Sequence, residues 1–141
     1  MNASSTPSFP AAAIDADKAP ARRTVFWLVK TTPAWLAKPH AGEGGRTEFV
    51  RQVLQPILAR HPRTTLRYFD TEAYTAWCSD VMMWSVADMD DYDGLVEALR
   101  DTPFWDTYFQ VLHILPGVED GYARNYEADP AVASSLVRTV F

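Results

Sequence analysis

A chain of 141 residues has the length of one domain, and 48% hydrophobic residues supply the material for a buried core. A net charge of −5, with Arg22-Arg23 as the one adjacent basic pair, excludes the clustered basic face that nucleic acid requires. A lone cysteine, Cys78, excludes an intrachain disulfide and a thiolate zinc cluster, and no apolar run is long enough to span a membrane.

Residues 1–22 are rich in Ala, Ser, Pro and Asp, lack periodicity, and read as a disordered N-terminal tail. They carry neither a basic start nor a continuous apolar stretch, so a secretory signal is not expected and the cytoplasm is the expected compartment. A domain is expected over 23–123, followed by a C-terminal extension over 124–141. Thr24 to Lys30 is a nearly continuous apolar run with β-branched and aromatic residues, as in an inner strand, and Pro33 stops it.

After a loop holding Pro39, Gly42, Gly44 and Gly45, apolar residues recur with helical spacing from Thr47 to Arg60. Pro56 falls inside that pattern and is expected to kink or restart the helix. Leu66 to Tyr74 and Cys78 to Val86 read as two strands joined by a short antiparallel connection. Asp88, Asp90, Asp91 and Asp93 then gather at the start of a second helix, where its dipole favours negative charge. Met89, Tyr92, Leu95, Val96 and Leu99 form the buried stripe of this helix, and Pro103 ends it. Tyr108 to Leu115 is the last strand, closed by Pro116-Gly117.

The order is therefore β-α-β-β-α-β, an α+β ferredoxin-like arrangement with both helices on one face of a four-stranded antiparallel sheet. The other face is apolar as well and needs a second layer. A homodimer packed sheet against sheet is the expected solution. The segment from Val118 to Phe141, with Tyr122 and Tyr126, is expected either to wrap over that partner or to remain loose.

Four blocks of this sequence resemble the darcynin family. They are Thr24 to Leu36, Pro56 to Pro62, Arg67 to Tyr74, and Asp101 to Trp105 together with Leu115 to Glu119. The resemblance covers roughly residues 24 to 123. It implies a dimeric α+β barrel, a fold group that includes cofactor-free monooxygenases, isomerases, polyketide cyclases, haem enzymes and pure binding proteins. Fold alone therefore selects no reaction. In that group the ligand sits between sheet and helices or inside the barrel. The glycine-rich loop Lys38 to Gly45 and the N-terminal tail depart from the family pattern.

Asp70 and Glu72 stand at i and i+2 on the second expected strand, sharing a face with Tyr68 and Tyr74. Close carboxylates raise one another's pKa, which suits general acid–base work; the alternative is a solvated strand end. His113, inside the last strand, is a proton carrier or a hydrogen-bonded core residue. Lys30 either snorkels to water or holds a developing oxyanion, a task Tyr68 can share. Asp80 interrupts an apolar strand and is expected to pair with Lys30 or Arg67. Trp27, Trp84 and Trp105 either line an aromatic pocket or pack a core. His61 is expected to cap a helix end.

Neither HExxH, GxGxxG, a P-loop nor GxSxG is present. No cofactor and no metal are expected, although His113 has the chemistry of a haem ligand. These residues suggest a cofactor-free enzyme of specialised metabolism that moves protons on an apolar or aromatic small molecule by cyclase or isomerase chemistry. Asp70, Glu72 and His113 would be catalytic, and Trp27, Lys30, Tyr68, Trp84 and Trp105 would bind. A cofactor-independent oxygenase, a non-catalytic carrier and a protein-docking module are the alternatives.

Overall fold

The computed structural model describes residues 23–122. The expected tail over 1–22 and the extension over 124–141 lie outside the described residues. In chain order the elements are β1 (Arg23–Thr31), α1 (Pro33–Leu36), α2 (Arg46–Phe49), a π-helical turn (Val50–Leu54) and α3 (Gln55–Ala59). Then follow β2 (Thr64–Asp70), β3 (Asp80–Val86), α4 (Met89–Arg100) and β4 (Phe109–Gly117). The strands make one four-stranded antiparallel sheet in the order β2-β3-β1-β4. This is the α+β, ferredoxin-like βαββαβ arrangement expected from the sequence. Of the described residues, 23–116 belong to one compact unit.

Alternation along the two inner strands selects the core. Val25, Trp27 and Val29 of β1 lie in register with Trp84, Met82 and Asp80 of β3, and all are buried. Leu95, Leu99 and Tyr92 of α4 close over this face, joined by Ile57 of α3 and Phe49 of α2. Trp27 packs edge-to-face with Trp84, Trp105 and Tyr92, their ring centroids 5.1, 5.6 and 6.4 Å away. On the opposite face of β1, Phe26 remains 37% exposed.

The first helical stretch, expected to kink or restart at Pro56, is three pieces and restarts there. Pro56 has no N–H to give to the carbonyl four residues back, and its ring crowds that carbonyl. The preceding turn widens instead, and Gln55 N–H donates to the Val50 carbonyl in a π-type bond. Pro56 then sits in the first turn of α3, where its missing donor costs nothing. Asp88, in extended backbone, caps α4 by accepting from the Asp90 N–H at 2.9 Å.

Strand boundaries differ from expectation in each strand, and three of the differences have a visible cause. β2 ends at Asp70, not Tyr74, because the Asp70 carboxylate accepts the Glu72 N–H at 3.0 Å and turns the chain. The β3 ladder starts at Asp80, not Cys78, since Ser79 is used by β1 and the connecting loop. β4 runs through Pro116 to Gly117, which an edge strand tolerates.

Candidate functional site

The β2–β3 edge of the helix-facing side carries a cluster of acids around one phenol. Cross-strand register puts Tyr68 opposite Met82 and Asp70 opposite Asp80, and Val29 flanks Asp80 from the other side. Tyr68 and Asp80 are thus diagonal neighbours on one face. Asp80 is only 6% exposed, whereas Tyr68 on the edge strand is 48% exposed. Tyr68 lies close enough to Asp80 for the two to affect each other's ionisation, and Ser79 Oγ lies 2.7 Å from Asp80 Oδ2.

Burial raises the Asp80 pKa above the ordinary carboxylate value. Hydrogen bonds from Ser79 and Tyr68 oppose that rise, and the Asp70 charge adds to it. Desolvation also raises the Tyr68 pKa, reinforced by the charge and hydrogen bond of Asp80 and by the charges of Asp70 and Glu72. The phenol therefore keeps its proton at neutral pH. A neutral phenol on a half-exposed residue, beside a buried carboxylate, has the chemistry of an acid–base pair with an outer and an inner member.

The partner of Asp80 is not the expected one. Lys30 and Arg67 alternate with Val29 and Tyr68, so they point to the opposite face of the sheet. Lys30 Nζ donates to the Ala76 carbonyl at 3.4 Å, and the Arg67 guanidinium lies over the Phe69 ring. Ser79 satisfies Asp80 in their place, with Tyr68 its diagonal neighbour. A hydroxyl beside the acid in sequence and a phenol on the paired strand were not recognisable without the register.

Of the residues singled out by sequence, Tyr68, Asp70 and Glu72 are brought together, although Glu72 stands in the turn after β2 and Tyr74 is not on the strand. His113 is not with them. β2 and β4 are opposite edges of the sheet, about 14 Å apart at the usual strand spacing. The His113 ring instead neighbours Trp77 of the β2–β3 loop, at 6.5 Å. Trp27 and Trp84 are wholly inside the core. Trp27 Nε1 donates to the Tyr92 hydroxyl at 3.0 Å, and Trp84 Nε1 has no hydrogen-bond partner among the described residues. Trp105 is half-buried beneath the Arg100 guanidinium. His61 Nδ1 bonds the Ile57 carbonyl at 2.8 Å, as a capping residue does. Among the described residues no three metal-ligating side chains converge, and no helix is long and apolar enough to cross a membrane.

Comparison with known proteins bears on family and fold. The profile of the darcynin family, a domain of unknown function, matches residues 11–135. A darcynin homologue of Granulibacter bethesdensis is 48% identical over 104 residues, covering 73% of this chain and 82% of that one. Its counterpart in Streptomyces avermitilis is 47% identical over 107 residues, covering 76% and 87%. A chlorite dismutase-like protein of known structure superposes with a TM-score of 0.53 at 18% identity. That match covers 70% of this chain but only 43% of the longer one, and it supports the fold alone. With most of its length matched by one family profile and by close relatives of similar size, the chain belongs to the darcynin family.

Proposed function

We propose that this protein is a cofactor-free enzyme that moves a proton on an apolar or aromatic small molecule, as an isomerisation or cyclisation step requires. The observation that carries the reading is the Tyr68–Asp80 pair: a phenol on a half-exposed edge residue, diagonal to a carboxylate that is 6% exposed. Asp80 is the base. Tyr68 passes the proton, taking one from the substrate as it gives its own to Asp80, and the electron pair stays on the substrate as an enolate or its equivalent. Burial, with the charges of Asp80, Asp70 and Glu72, favours the neutral phenol between turnovers. The exposed apolar side chains Phe26 and Phe69, across the sheet from the helices, support a second proposal, that the enzyme works as a homodimer.

Hydrogen–deuterium exchange at acidic carbons tests the chemistry. A panel of enolisable aryl ketones and phenolic lactones in D2O is followed by proton NMR, with and without protein. The wild type should accelerate exchange in at least one of them. Asp80→Asn and Tyr68→Phe should each lower that rate by about 10²- to 10⁴-fold. Binding with no exchange, or exchange that survives Asp80→Asn, overturns the catalytic reading; the first result leaves a carrier.

A further inference from the structure

Ser79 sits where β1, β3 and the acid meet, and its bonds do not fit one arrangement. Its side chain is buried, and its Oγ accepts the Thr31 N–H at 2.9 Å. The same Oγ lies within donating distance of two acceptors, Asp80 Oδ2 at 2.7 Å and the Val29 carbonyl at 3.2 Å. A hydroxyl has one proton, so it serves one acceptor at a time. The Val29 carbonyl is not left bare when the hydroxyl turns away, because it also accepts the Ser79 N–H at 2.9 Å.

We infer that Ser79 is a positioning residue, a two-position proton switch that lets the buried Asp80 carboxyl take up and release a proton with every polar atom satisfied in both states. When Asp80 is charged, the Ser79 hydroxyl donates to Oδ2 and the Val29 carbonyl keeps its backbone partner. When Asp80 is protonated, its new O–H donates to Ser79 Oγ, and the hydroxyl proton swings to the Val29 carbonyl. Neither state leaves a buried donor or acceptor unpaired, the usual penalty for changing the charge of an enclosed group. The inference rests on the proposed role of Asp80 as the base and explains how that base can cycle. Among the described residues, the groups that act on Asp80 are Ser79, Tyr68 and Asp70. Val29 is its neighbour from β1.

The test needs no substrate. In protein labelled with ¹³C, the Asp80 carboxyl carbon and the Val29 carbonyl carbon are followed through a pH titration. The switch requires the two to titrate with the same midpoint in the wild type, since the Ser79 proton reaches Val29 only when Asp80 is neutral. In Ser79→Ala the charged carboxylate loses a donor, so the Asp80 midpoint should rise by about one pH unit or more. The Val29 response should vanish, and Ser79→Thr should restore both. A Val29 carbonyl that ignores the Asp80 midpoint in the wild type overturns the inference, whatever becomes of the variants. Failure of the exchange experiment with an intact Val29 response would remove the catalytic reading and leave the switch standing.

Discussion

Burial and the neighbouring Asp70 raise the Asp80 pKa, and the hydrogen bonds from Ser79 and Tyr68 only partly oppose them. A folded-state pKa above the unfolded one means that the folded protein holds the proton more tightly between the two values. Stability from this group is therefore present below the ordinary carboxylate pKa and is lost as pH rises through the raised one. Asp80→Asn removes that dependence and keeps the size of the side chain. In urea unfolding near neutral pH the variant should be more stable than the wild type, with the margin shrinking as pH falls to about 4. A margin that stays constant across that range would show that Asp80 has no raised pKa. More stability together with less proton exchange in the same variant is the pattern of a strained functional group.

At the scale of elements, α4 depends on its first turn. The Asp88 carboxylate takes the Asp90 N–H, and Asp90 and Asp91 complement the dipole. Asp88→Ala should destabilise the protein by about 1 kcal/mol, measured as a shift in the denaturant midpoint without a change in slope. This start was legible in the sequence, because a run of aspartates before an apolar stripe has one common physical meaning. β1 and α4 were legible for the same kind of reason, their apolar spacing. The ends of β2 and β3 were not. Tyr74, Trp77 and Cys78 have strand-like composition, but the Asx turn at Asp70 and the bonds made by Ser79 claim the backbone first. The site shows the same division. Tyr68, Asp70 and Glu72 cluster because they are close in the chain. Pairing Tyr68 with Asp80 and parting both from His113 depend on strand order, which no local pattern encodes. The π turn follows from Pro56, yet a kink would have satisfied the same proline.

For the whole molecule, one face of the sheet is closed by helices and the other carries Phe26 and Phe69, exposed by 37% and 39%. If a second copy covers that face, Phe26→Asp should convert the protein to monomer in sedimentation equilibrium while its circular dichroism is retained. A wild type that sediments as monomer at all concentrations would sink the dimer. The split sheet also bears on how the chain reaches this state. β2 and β3 are joined by a short loop and can zip locally, but β1 finds β3 only across the first helical stretch and β2, Val25 against Trp84. Closing that distance is an entropic barrier, which places the protein among domains that fold more slowly than helical bundles. Val29→Ala in β1 should then mainly speed unfolding, whereas Leu66→Ala in the hairpin should slow folding. The order in which the strands assemble would thus leave the acid–phenol pair, both members of which lie on that hairpin, aligned before the core has closed around it.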